Sequence, residues 1–159
     1  MGQLAMTIAL SPNDTNHEGL GPLSLRFAEL HALPPEGTRY PGITAKTLLV
    51  DRRPGLLTVL LKMEPGVVLP DHGHVQIGQT FAIEGALVCG EGTCSAGNFV
   101  WGPAGSRHSA CVPNGGLMPA NFQLPNKFFK ATAVPPTYWT RTGMKCGVPP
   151  VPTRISSGR

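Results

Sequence analysis

Beyond Glu91 this 159-residue sequence contains no acidic residue. All nine acidic side chains lie at or before that position, whereas Arg107, Lys127, Lys130, Arg141, Lys145, Arg154 and Arg159 follow it, so the C-terminal part is purely basic. The basic residues are scattered rather than gathered into dense runs interleaved with aromatics. That pattern argues against a nucleic-acid partner and for a solvated basic face. No run approaches the apolar length of a bilayer span, and the N-terminal Met1-Gly-Gln-Leu-Ala-Met-Thr-Ile-Ala-Leu10 lacks the basic residues and cleavage site of a signal peptide. The expected setting is therefore the cytoplasm, with no membrane partner. Cysteine is sparse. Cys89, Cys94, Cys111 and Cys146 contain no C-x-x-C pair, which removes zinc knuckles and dithiol redox motifs and makes free thiols the expected state. Cys89 and Cys94 flank Gly90-Glu91-Gly92-Thr93, a hairpin-loop pattern in which the two thiols could face each other across two strands. Helical periodicity is also missing, since no stretch sustains it for three turns.

Turn formers are abundant instead, with 20 glycines and 17 prolines in a chain that is 41% hydrophobic. This is enough apolar material for one domain with a core, and too short a chain for two comfortable ones. Strand-like runs are expected at 45–50, 56–63, 67–74, 79–83, 86–89, 98–101, 107–112 and 117–124, separated by turn chemistry such as Asp51-Arg-Arg-Pro-Gly55. Many short strands at this spacing predict an all-β antiparallel sandwich or barrel. Residues 1–40 read as an irregular N-terminal arm, 41–131 as the folded domain, and 132–159 as an extended, proline-rich basic tail.

Of five histidines, three lie at ligand spacing. His72 and His74 form an H-x-H, and on a strand residues two apart present to the same face and can converge on one point. His108 must join them from another strand, which requires a rolled sheet. His17 and His31 have no partner at such spacing. The two segments Gly66-Val-Val-Leu-Pro-Asp-His72-Gly-His74 and Gly97-Asn-Phe-Val-Trp-Gly-Pro103-Ala-Gly-Ser-Arg-His108 resemble the two halves of the cupin signature, and the resemblance runs from about Leu48 to Phe129. It implies an RmlC-like double-stranded β-helix, or jelly-roll barrel, with a metal on His72, His74 and His108.

One departure from that signature sharpens the expectation. Four-ligand cupins carry a glutamate four or five residues after the second histidine, where this chain has Gly78 and Gln79. Glycine has no ligating group, and a neutral amide is a poor ligand beside three imidazoles. A three-histidine site with open positions is similar to that of the small acetylacetone and 2,4'-dihydroxyacetophenone dioxygenases; the likeness to the second extends through Gly78-Gln-Thr-Phe-Ala-Ile-Glu-Gly85. The resemblance implies one Fe(II) per chain, a small diketone or hydroxyketone and O2 as substrates, and carbon-carbon cleavage beside a carbonyl. Zinc, nickel and copper are the other ions that three neutral imidazoles accept. Gln79 would hold a metal-bound water or substrate oxygen in a catalytic role, or equally bond the backbone. Phe81, Phe99, Trp101 and Phe122 would wall the site if their strands face inward, and serve as core otherwise. Arg107, next to a ligand on its strand, should point to the opposite face. The alternative is a non-catalytic zinc cupin, a sensor or binding module of the anti-sigma-factor type. In either case a homodimer is expected.

Overall fold

The leucine-, valine- and threonine-rich runs between glycine and proline turns all become strands. A computed structural model describes residues 24–52, 54–123 and 126–129, together with the backbone of 137–140 and 143–146. In chain order the strands are β1 (Glu36–Gly37), β2 (Ile43–Asp51), β3 (Leu56–Met63), β4 (Val67–Gly73), β5 (Gly78–Phe81), β6 (Glu84–Cys89) and β7 (Thr93–Ser95). There follow β8 (Phe99–Gly102), β9 (Arg107–Val112), β10 (Gly116–Gln123), β11 (Lys127–Phe128), β12 (Thr137–Thr140) and β13 (Gly143–Cys146). No helix forms among the described residues, so none is long and apolar enough to cross a membrane. Residues 1–23 of the expected arm and 147–159 of the expected tail lie outside the described residues.

Every pairing is antiparallel. One face of the rolled sheet runs β1-β2-β3-β10-β5-β8 and the other β7-β6-β9-β4-β11. They join through β10, which pairs with β3 along its whole length and, on its other side, passes from β5 at Ala120–Phe122 to β6, with Gly116 opposite Gly85 and Leu117 opposite Glu84. Between the two faces Ile43, Met63, Ala82, Leu87, Ala110, Val112 and Met118 are buried together. A fully buried aliphatic side chain of this kind contributes about 1.5–3 kcal/mol through removal from water. Val68, Val88 and Cys111 pack instead on the outer side of β4, β6 and β9. There the Cα trace of β13 comes within 8 Å of β6 and β9. Cys111 is disulfide-bonded, which departs from the expectation of free thiols, and no C-x-x-C spacing signalled it. Cys89 and Cys94 are free; Cys94 stands opposite Leu87 rather than Cys89.

The β4–β9 ladder positions the histidines through an irregularity. Val67 and Leu69 turn toward the core and Val68 away from it, so strict alternation would carry Asp71 inward and His72 outward. The register shifts between Leu69 and His72: Leu69 stands opposite Ala110, yet His72 stands opposite His108. One extra residue on β4 thus reverses the phase. Pro70 lies within the bulge, where its missing N–H breaks no ladder bond.

Candidate metal centre

His72 and His108, opposite one another on β4 and β9, direct their rings into the space between the sheets, and His74 follows β4 with its backbone held by Ser106 and Gly105. The His74 amide donates to Ser106 O at 2.9 Å, and the Gly105 amide donates to His74 O at 2.8 Å. All three side chains become mutual neighbours: ring centroids are 4.6 Å apart for His72 and His108, 5.3 Å for His72 and His74, and 5.2 Å for His74 and His108. One nitrogen from each lies within 4.8 Å of the others. The sequence-expected ligand set therefore meets at one point.

Two details decide which nitrogens face that point. His72 Nδ1 is 2.8 Å from Pro70 O, and a carbonyl only accepts, so Nδ1 carries the proton and Nε2 keeps its lone pair. The bulge that turns His72 inward thereby also sets its tautomer. His74 Nε2 and His108 Nε2 are 3.1 Å apart. Two nitrogens bound at about 2.1 Å to a common divalent ion are about 3.0–3.4 Å apart, so the donor set fits such an ion.

Burial keeps the imidazoles neutral. His72 and His74 are 6% and 7% exposed, and His108 is half-buried. Desolvation lowers all three pKa values; that of His74 falls to about 4, with His72 and His108 adding repulsion to the effect of burial. Neutral rings present lone pairs to a cation without first losing a proton. For the metal-free protein the sign follows: the unfolded chain takes up protons below about pH 6.5, while folded His74 does so only near 4. Stability is thus full above pH 6.5, declines as pH falls through this window, and loses no more from this group below about 4. Chelator-treated protein melted across pH 4–7 should lose on the order of 1–2 kcal/mol, discounted for solvent reaching the cluster. A flat profile would contradict the buried, neutral cluster.

The ring of His74 lies in a recess over two glycines. Gly78 and Gly102 face each other across β5 and β8. A Cβ on Gly78 would lie 2.3 Å from His74 Nδ1, and one on Gly102 would lie 2.8 Å from His74 Cδ2. Gly78 is therefore more than a missing carboxylate. Its lack of a side chain is what admits the second histidine.

The remaining site expectations divide by face. Gln79 follows the inward-facing Gly78 and stands opposite the exposed Asn121 and Trp101. Its side chain consequently projects from the outer face, where it lines a shallow groove of about 310 Å³ with Leu56, Ile77 and Asn121, and the structure does not bring it to the histidines. Phe81, Phe99 and Trp101 share that outer face and are exposed, Trp101 by 56%. Only Phe122 of the four expected aromatics reaches the centre, stacking on His74 at 6.3 Å. Phe128, absent from the sequence expectation, stacks on His72 at 5.3 Å and continues into Tyr40 and the Arg39 guanidinium. A two-residue strand gave no periodicity by which to find it. Arg107 points outward as alternation requires, donating from Nε to Asp71 at 3.0 Å and lying 3.8 Å over the Phe129 ring. That guanidinium holds the exposed Asp71 carboxyl below its usual range.

Residues 27–124 match the family model of the ChrR cupin-like domain. No curated protein sequence matches the chain. Among solved structures it is similar to an acetylacetone dioxygenase from Acinetobacter johnsonii, at 19% identity over 68% of this chain and 78% of that one, with a TM-score of 0.59. The polyketide cyclase RemF from Streptomyces resistomycificus is similar at 17% identity over 69% of this chain and 89% of that one, with a TM-score of 0.55. A further likeness is to the Rhodobacter sphaeroides complex of SigE with the anti-sigma ChrR, at 20% identity over 59% of this chain and 51% of that one, with a TM-score of 0.52. At these identities the likeness is one of fold.

Proposed function

This chain belongs to the ChrR cupin-like family, and from that premise we propose that it is a mononuclear metal-dependent enzyme, an iron dioxygenase cleaving a carbon-carbon bond beside a carbonyl in a small diketone or hydroxyketone. The observation that supports this reading is the convergence of His72, His74 and His108 on one point, with glycine at the position from which β5 would offer a fourth ligand. Three imidazoles leave coordination positions to substrate. When bound, the ion would supply Lewis acidity toward two substrate oxygens and, if it is iron, the redox chemistry that oxygen requires.

The chain's own residues then hold and shape. His72, fixed by its Pro70 bond, and His74, fixed in its glycine recess, keep two nitrogens in place, while Phe122 and Phe128 border the imidazoles with apolar rings. An apolar border favours a flat, conjugated carbonyl compound over a sugar. Fold alone does not select a reaction. The family match favours a second reading, a zinc-binding sensor cupin whose partner is a protein. Elemental analysis followed by oxygen uptake distinguishes the two. The Fe(II)-loaded protein should consume oxygen only when a β-diketone or hydroxyacetophenone is added, and the zinc form should not. Tightly held zinc with no uptake by either form would transfer the assignment to the sensor.

A further inference from the structure

His108 belongs to a second group of donors. Cys89 Sγ, a Glu91 carboxylate oxygen and a His108 nitrogen lie within 4.8 Å of one another. The ladder and the turn after it explain the placement: β6 pairs with β9 at Val88 opposite Cys111 and Cys89 opposite Ala110, and the turn closed between Cys89 and Gly92 carries Glu91 beside His108. Ala110 faces the core, so Cys89 opposite it and His108 two residues away share the inner face. Across the sheet the order is Glu91 and Cys89 on the β6 side, His108 on β9, His72 on β4 and Phe128 on β11. The Cys89 thiol is half-buried and donates to Gly92 O at 3.4 Å within the turn, which holds it close to the strand end.

We propose that Cys89, Glu91 and His108 form a second ligand set for a thiolate-preferring divalent ion such as zinc or cobalt, contiguous with the three-histidine set and competing with it for His108. Thiolate, carboxylate and imidazole make a mixed set that suits zinc. A neutral imidazole has one lone-pair nitrogen, so His108 serves one ion at a time. The ion forms its bond to sulfur as the thiol proton leaves to water, with no change in oxidation state. This proposal shares a residue with the site above and is independent of the dioxygenase reading.

Cobalt(II) titration of the full chain tests it, because cobalt bound to thiolate shows a near-ultraviolet sulfur-to-metal charge-transfer band. The band should appear at one cobalt per chain, persist in Cys94→Ser and His72→Ala, and vanish in Cys89→Ser and His108→Ala. Glu91→Gln, a change at an exposed side chain, should weaken cobalt binding in the His72→Ala background by about 100-fold or more, as loss of a ligand does. Cobalt bound without the band in both the wild type and His72→Ala, or a band that follows Cys94 rather than Cys89, would overturn the proposal. Failure of the three-histidine reading has a separate signature: undiminished cobalt affinity in Cys89→Ser carrying His72→Ala.

Discussion

Purified His108→Ala protein is expected to contain metal at background level, while its far-ultraviolet signal stays that of a β protein. His108 supplies one of three converging nitrogens, and its Nε2 is 3.1 Å from that of His74. Its removal leaves two imidazoles, a set that holds a divalent ion weakly. Loss of a group that only orients a ligand costs about 10–100-fold in affinity, so loss of the ligand itself should exceed that. The choice of His108 over His72 or His74 matters, because it is also common to the Cys89 and Glu91 group. His72→Ala should accordingly keep some zinc or cobalt where His108→Ala keeps none. Stability should fall modestly, since the half-buried ring loses its contacts with His72 and His74 but no backbone bond. Elemental analysis after gel filtration reads the result. Full metal content in His108→Ala would remove the basis for the site.

The second large effect is expected from Gly78→Glu, and its direction is the opposite of what the sequence pattern suggests. By pattern, a glutamate here would restore a four-ligand cupin and tighten metal binding. By geometry, its Cβ would lie 2.3 Å from His74 Nδ1 and 2.4 Å from Cε1, inside van der Waals contact. Gly102, paired with Gly78, lies under the same ring, its own Cβ position 2.8 Å from Cδ2, so the ring rests on bare backbone over both strands. His74 must leave its rotamer, or β5 must move away from β8 and β10. The expected outcome is a fall in metal affinity of about 100-fold or more, comparable to losing a ligand, with about 1–3 kcal/mol of destabilisation from overpacking. Gly78→Ala isolates the cause, since it carries the offending Cβ without the carboxylate and should show most of the same loss. A competition titration against a chelator, with a thermal melt alongside, measures both quantities. Metal bound more tightly by Gly78→Glu than by the wild type would refute the glycine recess.

Those two predictions show how differently parts of the site were legible. The pairing of His72 with His74 could be read from local geometry, because side chains two apart on a strand share a face whichever face it is. Which face it is could not. Val67 and Leu69 face the core, and His72 joins them only because the register slips by one residue at Pro70. The facing of Gln79 and of the aromatics Phe81, Phe99 and Trp101 was open for the same reason: a strand's alternation is visible in sequence, but its phase depends on which neighbour it pairs with. Gly78 stands inward opposite Phe122 and Gly102, so Gln79 stands outward opposite Asn121 and Trp101.

By itself the sequence determined the strand pattern, the antiparallel all-β class and which three histidines converge. These follow from alternation, from glycine and proline at turns, and from a spacing shared with a known signature, all of which act over a few residues. Tertiary structure alone decided that a glycine recess admits His74, that Phe128 backs His72, and that Glu91 and Cys89 flank His108. Each of these contacts joins segments brought together by ladder register, and register is set by the packing of the whole sheet around its core rather than by any segment within it.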